Sequence, residues 1–178
     1  MNFPILSSLI LLPAVGALFL FFTRSNKENN ITVKYVALFT SLVNFFLSVY
    51  LWILFDQSTS EFQFVEDRVW IKDLINYKVG IDGISILFII LTTFITPLCI
   101  ISVNNSIKNR LSEFLIAILI MESFMIGVFC SLDLVVFYLF FEAGLIPMFL
   151  IIGIWGGTRR VYSAFKFFLF TLLGSVLM

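Results

Sequence analysis

Long apolar stretches separated by short polar segments constrain the fold of this chain more than any other feature. A helix needs about 20 apolar residues to cross the ~30 Å hydrocarbon core of a bilayer, because each residue advances the helix by ~1.5 Å. Five stretches meet or approach this length, and a sixth runs to the last residue. The predicted spans are approximately residues 3–22, 35–55, 84–103, 114–130, 134–154 and 161–178.

The composition supports this interpretation. Of the 178 residues, 61% are hydrophobic and 12% are charged, whereas soluble domains have about 45–50% and ~25%. A soluble core of this size could not hide so much apolar surface. The sequence therefore predicts an all-α, polytopic transmembrane bundle of about six helices, which forms a single membrane domain over residues 1–178.

Residue types that build metal, redox or phosphate sites are scarce. The chain has no histidine and two cysteines, so it lacks the commonest metal ligand and cannot form a thiolate cluster. The net charge is zero, and no basic run or glycine-rich phosphate loop is present. We therefore expect no metal, no bound cofactor and no nucleic-acid partner for this chain.

Loop charges predict an orientation. Basic residues outnumber acidic ones in the 1–2, 3–4 and 5–6 loops, whereas the 2–3 loop and the start of span 3 hold six acids against three bases. The positive-inside rule then places the amino terminus on the outer side, which is the intermembrane space or the periplasm. The basic residues behind this prediction are Arg24, Lys27, Lys34, Lys108, Arg110, Arg159 and Arg160.

The extramembrane segment 56–80 carries a weaker structural signal. Residues 61–66 partly alternate apolar and polar side chains, so a short strand here could fold back with residues 69–71 as a hairpin on the membrane face. An irregular interfacial loop is the alternative. Asp82, just before the third span, is expected to cap the exposed N–H groups of that helix.

Three ionisable residues lie inside the predicted spans, where each costs at least ~2.5–3.5 kcal/mol on insertion scales. They are Glu122, Glu142 and Lys166, the candidate residues for proton translocation. Apolar residues flank Glu142 for about two helical turns on each side, so it cannot reach either interface. Ala143 and Gly144 would let a neighbouring helix approach closely, and Pro147 leaves the carbonyl of Ala143 without its usual donor.

Such a setting suits a proton-relay carboxyl, because neighbouring charges can bias its ionisation. A structural carboxyl, permanently neutral or permanently paired, is the alternative for Glu142. Glu122 and Glu142 lie ten residues before and after the turn near Leu132, which predicts that both sit ~15 Å deep. They could pass a proton directly or through water, although spacing does not reveal whether they share a face. The alternative for Glu122 is a packing role.

Lys166 is the weakest of the three candidates. It lies six residues after Arg160, so its side chain could extend to the inner surface. Alternatively, it is an internal charge that biases a neighbouring carboxyl.

Four segments carry a family resemblance that runs in order along the chain. They are residues 79–85, 140–148, 153–156 and 166–175, which read VGIDGIS, FFEAGLIPM, GIWG and KFFLFTLLGS. They resemble the antiporter-like, proton-pumping membrane subunits of respiratory complex I, the NADH–ubiquinone oxidoreductase. The Glu-x-x-Leu-Ile-Pro element that begins at Glu142 is the most specific part. The phenylalanine-rich helices look more like mitochondrially encoded members than bacterial ones.

The resemblance implies the N-terminal part of an antiporter-like fold with about fourteen helices in two inverted repeats. Glu142 matches the family's essential glutamate on the fifth helix, which works with a lysine on a broken seventh helix. Lys166 matches a lysine-rich position at the start of the sixth helix. No seventh helix is present, so we expect a split or truncated subunit, with a second polypeptide completing helices seven onward. NADH, FMN, iron–sulfur clusters and ubiquinone would be bound by other subunits.

The function implied by the resemblance is proton translocation coupled to NADH oxidation by quinone. The chain would act as a membrane-arm subunit of the enzyme in the mitochondrial inner membrane, or in a bacterial plasma membrane. A subunit of a multi-component cation/proton antiporter is one alternative. A structural or assembly fragment, in which the buried charges only pair with their neighbours, is another. Composition does not separate these three, and the motif resemblance alone ranks them.

Overall fold

In the computed structural model the described residues are 4–23, 30–59, 61–71, 75–103, 107 and 110–177. Within them, six helices are long and apolar enough to cross a membrane, so the predicted all-α bundle of six helices is confirmed. The helices are α1 (Ile5–Thr23), α2 (Asn30–Leu54), α3 (Ser85–Ser102), α4 (Leu111–Cys130), α5 (Leu134–Trp155) and α6 (Arg160–Leu177).

The helix ends differ most from the sequence prediction at α2. This helix begins at Asn30, five residues before the predicted start, and α4 begins at Leu111, three residues early. Both early turns contain polar residues, such as Thr32 and Ser112. An apolar-run criterion stops at such residues, although a helix can continue through them into the membrane interface. The other described ends lie within two residues of the prediction.

Between α2 and α3 the chain forms an antiparallel hairpin of strands β1 (Gln63–Ile71) and β2 (Ile75–Ile81). Its strands are not those suggested by the sequence. Residues 61–66 and 69–71 were expected to pair with each other, but residues 63–66 and 69–71 both lie within β1. Their partner is β2: Asp67 of β1 pairs with Lys78 of β2, and Arg68 of β1 pairs with Tyr77 of β2. Residues 75–81 read INYKVGI and alternate apolar side chains with polar or small ones, which is a sequence signal for β2.

The hairpin is anchored to the bundle at two places. Glu66 accepts hydrogen bonds from the backbone N–H groups of Leu6 and Ser7, at 3.0 and 3.3 Å, and from the Ser7 hydroxyl. It therefore satisfies donors that the first turn of α1 would otherwise leave open. On β2, the carbonyl of Lys78 accepts from the N–H of Leu132 at 3.0 Å. The hairpin thus connects the start of α1 to the α4–α5 turn.

Asp82 takes the predicted position at the start of α3. The backbone N–H of Ser85 donates to Asp82 Oδ1 at 2.6 Å, which confirms the capping role. Hydrogen bonds from the Ser85 side chain and backbone hold the pKa of the Asp82 carboxyl below its ordinary value. Of the charges that predict the orientation, Arg24, Lys27 and Lys108 lie outside the described residues, as do Lys72 and Asp73 of the 2–3 loop.

The core lies between α1 and α4, and α4 is its central element. Half of the spanning window of α4 is buried, compared with 17% for α5 and 6% for α6. Two apolar clusters fill this region, one near the hairpin and one near the opposite end of the bundle. Helices α5 and α6 therefore pack on the outside of a four-helix core. Fully buried members of the clusters include Leu6, Leu9, Leu51, Ile89, Ile126, Leu20, Ala37, Ile100, Leu115 and Leu119.

Candidate proton-carrying carboxyls in the membrane

Glu122 lies inside the four-helix core. Its side chain is 1% exposed, and that of Asn44 on α2 is completely buried. Asn44 Nδ2 donates a hydrogen bond to Glu122 Oε1 at 2.9 Å. Among the described residues, neither Glu122 Oε2 nor Asn44 Oδ1 has a hydrogen-bond partner. Two buried oxygen atoms of adjacent side chains therefore lack a donor.

A stripe of buried polar residues on α2 passes through this contact. Ser41, Asn44 and Ser48 are all fully buried, and their spacing of three and four residues puts them on one face of the helix. Ser48 Oγ is 2.7 Å from Thr93 Oγ1 on α3. Ser123, next to Glu122, donates to the carbonyl of Ile10 on α1 at 2.6 Å. All four core helices thus contribute to a polar layer within the membrane.

Glu142 has a different setting, on the outer pair of helices. Its side chain is half-buried, and the hydroxyl of Ser175 on α6 donates to its Oε1. The same face of α5 packs on α6 further along, where the Phe149 ring lies 5.3 Å from that of Phe165. Helix α5 continues through Pro147 to Trp155. Glu142 is therefore held at the α5–α6 contact rather than in the core.

The two carboxyls do not share a face. Phe140 lies against Gly127, and Gly144 lies against Phe124, so these residues mark the contact between α4 and α5. With about 100° of rotation per residue, Glu142 points away from this contact, on the opposite side of α5. Glu122 is likewise on the far side of α4. With helix axes 8–10 Å apart, the carboxyls are separated by on the order of 20 Å.

This separation corrects two expectations drawn from the sequence. At this distance Glu122 and Glu142 do not exchange a proton directly, whereas transfer through water, the other route left open by the sequence, stays a prediction. Their depths also differ. Gly127 lies level with Phe140 and Phe124 with Gly144, so the α4 residues level with Glu142 are 125 and 126 rather than Glu122. The offset is three to four residues, or about 5 Å. Spacing from the turn could not reveal it, because the turn does not fix the stagger of the two helices.

The close approach of helices also occurs elsewhere than predicted. A Cβ atom at Gly144 would meet only the Cβ of Phe124, at an ordinary contact distance of 3.8 Å. A Cβ atom at Gly127 would lie 2.6 Å from the Phe140 ring. Gly127 on α4 is therefore the residue that permits α4 and α5 to pack closely.

Lys166 is not brought to either carboxyl. Its side chain is exposed, on the side of α6 opposite Ala164 and Phe168, which face α5. Ala164 lies level with Gly153, so Lys166 lies about nine residues, or ~13 Å, along the axis from Glu142. Within the described chain, Lys166 therefore does not pair with Glu142.

The sequence predictions missed Asn44, Ser48 and Thr93, because these residues carry no charge and so do not stand out in an apolar span as Glu122 and Glu142 do. A signal was present, since Ser41, Asn44 and Ser48 are spaced for one face of an apolar helix. Within the described residues, no group of three or more Cys, Asp or Glu side chains is placed to hold a metal ion.

Comparisons with known proteins connect the Glu142 segment to a family. Residues 131–178 match the family described as "NADH:quinone oxidoreductase/Mrp antiporter, TM". The chain is 61% identical to NADH-quinone oxidoreductase subunit M of Rhodobacter capsulatus over 145 residues, which cover 82% of the chain and 28% of the relative. It is 48% identical to NADH-ubiquinone oxidoreductase chain 4 of Marchantia polymorpha over 97% of its length and 35% of the relative.

The chain is a homologue of these NADH-quinone and NADH-ubiquinone oxidoreductase subunits. This confirms the family resemblance seen in the sequence, and with the six apolar helices it makes the chain a multi-pass membrane protein. The chain spans about a third of the length of the curated relatives. A chain of an archaeal respiratory membrane complex, the membrane-bound sulfane sulfur reductase, has the same fold, with a TM-score of 0.82 at 15% identity. That match covers 98% of this chain and 35% of the other.

Proposed function

We propose that this chain is part of a proton-translocating membrane subunit of an NADH:quinone oxidoreductase, and that Glu142 carries the proton. The observation behind the proposal is the position of Glu142, in the middle of a spanning helix and within the segment that matches the family. Its only described hydrogen-bond partner is a neutral hydroxyl, that of Ser175. An acid that is half-buried and unpaired with any described cation can respond to a charge brought near it.

Proton transfer at this site would follow the charge next to the carboxyl. A cation close to Glu142 favours the carboxylate, so the group releases its proton. Withdrawal of that cation favours the neutral acid, so the group takes a proton from the other side. Energy from the redox reaction would have to move the cation between these two positions. The described chain contributes the carboxyl, the Ser175 hydroxyl and the apolar surroundings that exclude bulk water.

The remaining components would come from partners. We propose that other complex I membrane subunits surround the chain, and that a further polypeptide segment supplies the cation that faces Glu142. Lys166 would act at the inner surface, and redox cofactors and quinone would be bound elsewhere in the complex. The amino terminus and the hairpin would face the intermembrane space or the periplasm, because the loops on the opposite side carry the basic excess. A mitochondrial inner membrane is the proposed location.

Replacement of Glu142 by Gln tests this function in the assembled complex. The amide keeps the shape of the side chain and can still accept from Ser175, but it cannot ionise. We expect NADH-driven proton uptake into proteoliposomes to fall at least tenfold, while the complex still assembles. Glu61→Gln, in the exposed loop before the hairpin, is the matched control and should pump normally. Normal pumping by an assembled Glu142→Gln complex would refute the proposal.

The family description provides a second candidate, because it names Mrp antiporters together with NADH:quinone oxidoreductase. In that case the same carboxyl would exchange protons against a cation, and an ion gradient would supply the energy. Sodium-dependent proton movement that needs no NADH, and that Glu142→Gln abolishes, would favour this function over the first.

A further inference from the structure

The Asn44–Glu122 contact contains an imbalance of donors and acceptors. Asn44 Nδ2 supplies one hydrogen bond, to Glu122 Oε1. The other two oxygen atoms, Glu122 Oε2 and Asn44 Oδ1, are buried without a donor among the described residues. If Glu122 is ionised, both atoms are pure acceptors and neither can satisfy the other. Buried polar atoms in folded proteins are rarely left in this condition.

The direction of the amide does not remove the imbalance. If the nitrogen and oxygen of Asn44 exchanged places, its Oδ1 would lie 2.9 Å from Glu122 Oε1. Two acceptors at that distance also require a hydrogen atom between them. Either orientation of the amide therefore lacks one proton.

No described cation is close enough to balance a carboxylate at this position. The ionisable side chains of α4 and of the elements packed on it are Lys34, Tyr35 and Tyr50 on α2, Cys99 on α3, Glu113 and Cys130 on α4, Tyr138 and Glu142 on α5, and Tyr77 and Lys78 on β2. Helix α1 has none. Lys34 is ten residues from Asn44, about 15 Å along α2. The backbone carbonyl of Lys78 accepts from the N–H of Leu132, which lies ten residues from Glu122. Arg110 is twelve residues from Glu122.

A buried carboxylate without a cation is among the costliest groups to place in a membrane. A carboxylic acid costs far less, and it also supplies the missing donor. We propose that Glu122 is held as a neutral acid in a cyclic pair with the Asn44 amide. Its Oε2–H donates to Asn44 Oδ1 while Asn44 Nδ2 donates to Glu122 Oε1. A single proton thus satisfies both unpartnered oxygen atoms.

This pair makes Glu122 a proton-holding site separate from Glu142, with Asn44 as its positioning residue. The inference deepens the proposed function and rests on it for the membrane setting. The Ser48–Thr93 hydroxyl pair lies one turn along the same face of α2.

Infrared spectroscopy of the intact complex at neutral pH tests the pair directly, because a protonated carboxyl gives a C=O stretching band that a carboxylate lacks. We expect wild type to show such a band and Glu122→Gln to lose it. Glu142→Gln must retain the band. In Glu122→Gln the new amide supplies both a donor and an acceptor to Asn44, so this variant should assemble normally.

The role of Asn44 is tested by the position of the same band. Asn44→Leu removes the hydrogen bonds to the acid, so the band should shift to higher frequency. Ser41→Ala, on the same buried face of α2, removes a hydroxyl that bonds to its own helix at Leu38 and should leave the band unchanged. If Asn44→Leu fails to assemble, Asn44→Gln displaces the same amide by one methylene and must also shift the band.

Two outcomes would overturn the inference. One is a wild-type spectrum with no protonated-carboxyl band that depends on Glu122. The other is a Glu122 band that none of the Asn44 variants shifts. Neither outcome bears on the proposed function, because that depends on proton pumping in Glu142→Gln. A complex that loses pumping with Glu142→Gln and also lacks a Glu122 band would support the function and refute this inference.

Discussion

The two membrane carboxyls occupy contrasting surroundings. Glu122 is enclosed by the four-helix core and is matched with a specific amide partner. Glu142 lies on the outer pair of helices, is half-buried, and bonds to a single hydroxyl. The first environment is enclosed by the described chain on all sides, whereas the second leaves one side of the carboxyl open to further groups. A carboxyl whose charge must respond to a partner is better placed in the open environment.

The largest expected difference between the two sites is in stability. Glu122→Ala would leave a cavity and leave the buried Asn44 amide without its hydrogen-bond partner. Together these two effects should lower the stability of the chain by about 2–4 kcal/mol. Glu142→Ala should cost less than about 1 kcal/mol, because its side chain is only half-buried and loses a single hydrogen bond. The temperature at which the chain dissociates from the assembled complex would measure both effects. Equal losses in the two variants would show that the sites are not enclosed to different degrees.

A smaller effect is expected where the core meets the outer helices. Gly127→Ala puts a methyl group 2.6 Å from the Phe140 ring, and such overpacking costs about 1–3 kcal/mol. Gly144→Ala, on the same α4–α5 contact, meets only an ordinary van der Waals neighbour. Since alanine also loses less backbone freedom on folding than glycine, this control should be neutral or slightly stabilising. The same dissociation assay distinguishes them, and a neutral Gly127→Ala would contradict the close packing described here.

The smallest effect concerns the start of α3. The lowered pKa of Asp82 means that its capping contact contributes fully at neutral pH, above the ordinary carboxyl pKa. This contribution is lost as pH falls through the lowered, folded-state value. On acidification, amide hydrogen exchange at Ser85 of the wild-type chain should therefore accelerate relative to the same amide in Asp82→Ala. The variant lacks the cap at every pH and is destabilised by about 1 kcal/mol. Asp133 caps α5 through Val135 and Val136, so exchange there should not change in Asp82→Ala.

The sequence predicted the helices well because the bilayer imposes a length on each apolar stretch. It identified Glu122 and Glu142 because an acid in such a stretch is conspicuous. It could not reveal the faces of these residues, since the stagger and rotation of α4 against α5 depend on contacts such as that of Gly127 with Phe140. The contacts of Glu122 with Asn44 and of Glu66 with the start of α1 join residues far apart in the chain, and no local pattern encodes them.

The attachment of the hairpin also determines how the outer helices can move. The hairpin is bonded to the α4–α5 turn at Leu132 and to the first turn of α1 through Glu66, so it links these two elements at one membrane surface. A rocking movement of α5 would then have its pivot at that surface. The displacement would grow along the helix, reaching intermediate size at Glu142 and its maximum at Trp155 on the opposite side of the bilayer.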